Sequence, residues 1–146
     1  MAILDSQLRF SSNQSVSGTA ATVASTNYYD TGAAADAGVG EPLSAQVDVG
    51  STAFSGGTSV QVAIQTAADA AFSSGLVTIP LTPAILVAAA TARANLFKGR
   101  LPYKLKRYIR FAYITVGAVA AGSANAFIAK DIEAGEALPT TVPAAR

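Results

Sequence analysis

Leu43-Ser44-Ala45-Gln46-Val47-Asp48-Val49, followed a few residues later by Val60-Gln61-Val62-Ala63-Ile64-Gln65-Thr66, is the stretch on which the fold turns. In the first segment Leu43, Ala45, Val47 and Val49 fall on one side of an extended chain and Ser44, Gln46 and Asp48 on the other, because successive strand side chains point to opposite faces. That is the pattern of a half-buried strand. The second segment repeats it. Between them Phe54-Ser55-Gly56-Gly57-Thr58 carries paired glycines, which accept positive φ without a Cβ penalty, so the reading is strand, tight reversal, strand.

Farther along, Arg107-Tyr108-Ile109-Arg110-Phe111-Ala112-Tyr113-Ile114-Thr115 is rich in the aromatic and β-branched types that fit a pleated surface, and residues 126–132 resemble it. Gly117, Gly122, Ser123 and Asn125 read as a turn between these two strands. Shorter candidates at 7–10, 27–30, 76–79 and 94–98 bring the total to about eight strands, the spacing of a sandwich or closed barrel. No long helical period interrupts them. The alanine runs at 33–35 and 88–90 are too short to nucleate more than one helical turn each. Residues 84–87, apolar without alternation, read as a fully buried strand or a loop plug. Residues 1–26 and 134–146 read as largely irregular arms on a single domain spanning 1–146.

Charged residues make up 13% of the chain, against roughly 25% in an average soluble domain. The hydrophobic share of 51% is inflated by alanine. So weakly charged an exterior implies cover by other protein chains, either copies of this one or a larger lattice. The uncharged stretches 70–92 and 111–129 are long enough to raise the question of a membrane span, but Pro80, Pro83, Gly117 and Gly122 argue against a helix in either. No basic patch with a following apolar run opens the chain, so no export signal is expected.

The residues that most often carry chemistry are missing. With no histidine and no cysteine, a serine triad, a thiol nucleophile and a thiolate zinc site are ruled out. The carboxylates are scattered, and the segment Asp36-Ala37-Gly38-Val39-Gly40-Glu41 lacks the alternating oxygen ligands of a calcium loop. The expectation is no catalytic residue, no cofactor and no metal. One charge pattern stands out. Arg93, Lys98, Arg100, Lys104, Lys106, Arg107 and Arg110 are seven of the ten basic residues, and no carboxylate falls between Asp69 and Asp131. Docking onto an acidic protein surface ranks above nucleic-acid binding here, since the net charge is only +1 and no recognition motif accompanies the cluster. If 107–115 and 126–132 formed a hairpin, Arg110 would face Asp131 across strands; in a jelly roll these strands can instead lie in opposite sheets.

The order of several pieces resembles the capsid cement, or decoration, proteins of tailed bacteriophages, in particular a small family first described on a short-tailed Bordetella phage. Those pieces are Ile3-Leu4-Asp5-Ser6-Gln7-Leu8, Tyr29-Asp30-Thr31-Gly32, Gly38-Val39-Gly40-Glu41-Pro42-Leu43, Gln65-Thr66, Asp69 with Phe72, Ile79-Pro80, Leu101-Pro102 and Lys106 through Tyr113. The resemblance implies a jelly-roll subunit that assembles as a homotrimer at threefold positions and clamps neighbouring major capsid proteins. This chain departs from the pattern in the alanine-rich stretch 85–94 and in its Pro-containing tail.

The functional expectation is a non-enzymatic virion protein, made in the host bacterial cytoplasm and placed on the capsid exterior. Its partners would be the major capsid protein and itself, with no membrane. Lys98, Arg100, Lys104, Lys106, Arg107 and Arg110 are the candidate capsid or subunit contacts. Two rival readings are a carbohydrate- or host-surface-binding module displayed on the virion and, behind it, a nucleic-acid-binding protein using 93–110.

Overall fold

A computed structural model describes residues 6–19, 21–33 and 43–130. The strands in chain order are β1 (Arg9–Ser15), β2 (Thr22–Ala24), β3 (Tyr29–Asp30), β4 (Leu43–Val49), β5 (Ser55–Gly56), β6 (Ser59–Ala67), β7 (Val77–Pro80), β8 (Ile85–Leu86), β9 (Asn95–Arg100), β10 (Tyr108–Val116), β11 (Val119–Ala121) and β12 (Ser123–Lys130). The first main sheet has the order β1-β12-β4-β9. The second has the order β2-β10-β6-β7, with β3 also on β10 and β8 also on β6. Every pairing is antiparallel.

If β2 and β3 count as one position, and β7 and β8 as another, the main strands change sheet at every step except from β6 to β7. Two four-position sheets traversed in this way are a jelly roll, which is the all-β sandwich expected. The alternation along β10 explains the packing. Ile109, Phe111 and Tyr113 point inward and lie opposite Thr66, Ile64 and Val62 of β6, and all six are 0–1% exposed. From the other sheet Phe10, Val47, Ala126 and Ile128 meet them in the same core. The rings of Phe10 and Phe111 stand edge to face with centroids 5.0 Å apart. Burying each such large side chain contributes roughly 1.5–3 kcal/mol.

Several sequence expectations are corrected. The segments 43–49 and 60–66 are strands but not a hairpin, since β4 and β6 lie in opposite sheets. Gly56 and Gly57 do take positive φ, 68° and 67°, but Gly56 belongs to β5, which pairs with β11. The N-terminal tract is not an irregular arm: β1 and β2 pair into the two sheets, and Phe10 and Val16 are fully buried. Its polar side chains concealed this, because they are satisfied inside the fold. Tyr113 donates to Ser11 Oγ at 2.8 Å, Ser11 donates to Gln14 Oε1, and Gln14 Nε2 donates to the Ala24 carbonyl.

Residues 84–87 form neither a buried strand nor a plug. Ile85–Leu86 is a two-residue strand that leaves Leu86 64% exposed, and a 3-10 turn follows at Val87–Ala89. The glycine-rich segment after β10 is a crossing between sheets. Arg110 therefore faces Gln65 rather than β12. Asp131, the alanine run at 33–35 beyond Ala33, the segment 36–41 and the tail 134–146 lie outside the described residues.

Candidate interaction surface

The outer faces of the two sheets differ in chemistry, and register accounts for each. On β4, Ala45, Val47 and Val49 point into the core, so Ser44, Gln46 and Asp48 point out. Gln46 stands opposite Phe127 on one side and Lys98 on the other, and Phe127 in turn stands opposite Arg9. The row Arg9, Phe127, Gln46, Lys98 thus crosses all four strands, and the next row, Ala129, Ser44, Arg100, crosses three. Arg9, Lys98 and Arg100 are exposed. Asp48, the carboxylate on this face among the described residues, already accepts from Gln46 Nε2 and Asn95 Nδ2, both at 2.7 Å. The outer face of the first sheet is therefore basic and polar.

At one end of the second sheet, aromatic and cationic side chains form a closed cluster. Arg107 donates from Nε and Nη2 to the two carboxylate oxygens of Asp30 at 2.7 and 2.9 Å. These hydrogen bonds, with a further one from the Gly32 backbone N–H, hold the Asp30 carboxyl down at about 2. The same pairing raises the Arg107 pKa. Arg110 donates to Gln65 Oε1 at 2.8 Å, and Gln65 donates to Thr78 Oγ1. Its guanidinium carbon lies 4.1 Å from the centroid of the Phe72 ring, and burial lowers its pKa. Tyr28 packs edge-on against both Phe72 and Tyr108. Phe72 takes φ 55° in a loop held by Asp69, whose carboxylate accepts from the Ser73 hydroxyl and the Ser73 and Ser74 backbone N–H groups. Those bonds hold the Asp69 carboxyl below its usual range, the Ser73 hydroxyl foremost.

Beyond this cluster the outer face of the second sheet loses its charge. Register places Ala24, Ala112, Ala63 and Pro80 in one row, Thr22, Ile114 and Gln61 in the next, and Val116, Ser59 and Leu86 in the last. Ala63 and Ala112 are fully buried, whereas Val116 is 53% and Leu86 64% exposed. An open groove of about 410 Å³ runs beside the aromatic and cationic cluster, along Gln7, Asn27, Tyr28 and Asp30. Its polar groups are already engaged: Asn27 Nδ2 donates to the Arg9 carbonyl, and Asp30 is paired with Arg107.

The six basic residues singled out in the sequence therefore do not make one patch. Lys98 and Arg100 lie on β9, in the first sheet. Lys104 sits in the connection to β10 with φ 65°. Lys106 donates to the Gly75 carbonyl, and Arg107 and Arg110 are committed to Asp30, Gln65 and Phe72. Sequence reasoning placed Arg9 in the short strand candidate 7–10 but did not single it out, because it lies far in sequence from the run of cations at 93–110. It also missed the exposed pair Leu86 and Val116, although Val116 shares the outward parity of Tyr108, Arg110, Ala112 and Ile114.

Among the described residues no three or more Asp, Glu, His or Cys side chains are grouped to hold a metal, and no helix is long and apolar enough to cross a membrane. What the fold defines is a jelly-roll sandwich with one basic outer face and one largely neutral one. The chain belongs to the Bbp16 family, a phage protein family whose model matches residues 10–128. The matched segment runs from Phe10 on β1 to Ile128 on β12 and so takes in both sheets. A search of the curated proteins finds no match.

Proposed function

We propose that this chain is a structural protein of the phage particle that binds the outer surface of the assembled capsid as an oligomer and bridges neighbouring capsid proteins. The observation that carries this reading is the family match across the whole sandwich. Charge adds to it. Arg9, Lys98 and Arg100 stand on the outer face of the first sheet, an arrangement that suits contact with an acidic protein surface. Lys98 and Arg100, together with Arg9, are the cations placed to meet it. Arg107 and Arg110 have internal partners and serve mainly to hold the end of the second sheet.

A rigid body that touches several capsid subunits binds only where they are assembled. It therefore stabilises the shell by mass action, and several weak contacts on one oligomer act with a high effective concentration. The test is to mix the purified chain with assembled heads that lack it and to sediment them at rising salt. Retention that weakens with salt, and weakens further in Lys98→Glu/Arg100→Glu, is the expected result. Heads that never retain the chain refute the reading. Retention indifferent to both salt and the double variant removes the basic contact alone.

A further inference from the structure

We infer that the groove beside β3, walled by Asn27, Tyr28 and Asp30, binds a neutral saccharide. The inference goes beyond capsid binding and does not depend on it. At about 410 Å³ the groove falls within the size range of small-ligand sites. Its lining decides the chemistry. A sugar ring presents a face of C–H groups and a rim of hydroxyls that both donate and accept, so its site needs an aromatic surface for the face and fixed polar groups for the rim.

Tyr28 supplies the aromatic surface. It lines the groove and is 49% exposed, yet edge contacts with Phe72 and Tyr108, at centroid distances of 5.9 and 6.0 Å, hold the ring in place. The rim comes from Ser6, Thr26, Asn27 and Asp30. Asn27 Nδ2 is tied to the Arg9 carbonyl at 3.0 Å, which fixes the amide and leaves Oδ1 as an acceptor. That oxygen and the Ser6 and Thr26 hydroxyls have no partner among the described residues. Asp30 is anchored by Arg107 and by the Gly32 backbone N–H. Tyr28, Asn27 and Asp30 are thus each held by groups outside the groove, and a ligand need not order them at its own expense.

Charge selects among ligands. Asp30 is the charged residue of the lining, and Arg107 already engages both of its carboxylate oxygens. A cation would compete with Arg107, and an anion would face the carboxylate. Neutral hydroxyls can instead donate to acceptor positions that remain. No lysine or arginine among the described residues lines the groove, so nothing there meets a phosphate backbone. A purely apolar ligand would take water from Asn27 and Asp30 and return no hydrogen bond.

The experiment is a titration of the isotope-labelled full chain with a panel of neutral hexose and N-acetylhexosamine oligosaccharides, followed by nuclear magnetic resonance. At least one should shift the amide signals from Thr26 to Asp30, including the Asn27 side chain, and saturate. Tyr28→Ala should weaken that binding about tenfold, the worth of one aromatic contact. Lys98→Glu/Arg100→Glu, on the other sheet, should leave it unchanged. Should Tyr28→Ala fail to fold, Asn27→Ala at an exposed position gives the second reading and should also weaken binding. A panel that shifts no signal, shifts that map away from residues 26–30, or binding untouched by the groove variants overturns the inference. So does a preference for a sialylated or phosphorylated sugar over its neutral parent.

Discussion

The hydroxyl of Tyr113 joins the two sheets from inside the core, and removing it offers a quantitative test of how β1 is seated. Tyr113 is fully buried and donates to Ser11 Oγ at 2.8 Å. Ser11 donates onward to Gln14 Oε1 at 2.7 Å, which also accepts from the Thr26 backbone N–H. Tyr113→Phe leaves Ser11 its other bond, so the loss should be about 1 kcal/mol. Ser11→Ala instead strands a buried phenol with no acceptor, which costs about 1–3 kcal/mol. The double variant removes both partners together. It should therefore be less destabilised than the two singles added, by a coupling of about 1 kcal/mol. Thermal or urea unfolding of the four proteins measures this, and each 1 kcal/mol corresponds to about 2–4 °C in the midpoint for a chain of this size. Strict additivity, or a Tyr113→Phe variant as stable as the parent, would show that β1 does not lie against β10 as described.

Burial raises the Tyr113 pKa, with the Ser11 hydrogen bond opposing it. Its contribution is therefore complete below the ordinary tyrosine value of 10.0 and is lost as pH climbs above it; the unfolding midpoint should fall at high pH, and less steeply in Tyr113→Phe. Asp30 has the opposite sign. Its carboxyl is held at about 2 against an ordinary 3.8, so the stability it adds is present above 3.8 and disappears as pH drops toward 2, and Asp30→Asn should flatten the acid limb of the unfolding curve between those values. At Gly122 a Cβ would lie 2.6 Å from Phe54 Cδ1. Gly122→Ala should therefore destabilise by about 1–3 kcal/mol through overpacking, measured by the same unfolding, and a neutral result would mean that Phe54 is free to move. Arg110→Glu breaks the bond to Gln65 and the contact with Phe72, so it should lower the unfolding midpoint, whereas Lys98→Glu on the exposed β9 face should leave it within about 0.5 kcal/mol of the parent.

Which strands form was legible where apolar and polar residues alternate, as in β4, β6 and β10, because a period of two reports directly which side is buried. Which strands pair was not. The glycine pair between 43–49 and 60–66 looked like a hairpin turn, yet nothing local distinguishes a chain that doubles back from one that crosses to the facing sheet. β1 was hidden for a different reason. Ser11, Asn13 and Gln14 read as polar loop, and only the distant Tyr113 and the Ala24 carbonyl give them partners inside the fold.

The interaction surface was legible in composition and obscured in position. The run of cations from 93 to 110 is continuous in sequence, but β9 and β10 belong to different sheets, so the cluster divides between two faces of the molecule. Arg107 finds its carboxylate in Asp30, 77 residues away, a pairing that spacing does not reveal. The neutral face was already written in the alternation of β10, where Ala112, Ile114 and Val116 share one side. Its extent emerged only once β6 and β8 were placed beside it.

The most direct measurement is the number of chains retained per head when the purified chain is titrated onto assembled phage heads that lack it, followed by heating of the decorated particles. The account predicts saturable retention in whole oligomers and a rise in the temperature at which heads rupture. Heads that take up no chain, or that take it up and rupture at the same temperature as bare ones, would contradict it.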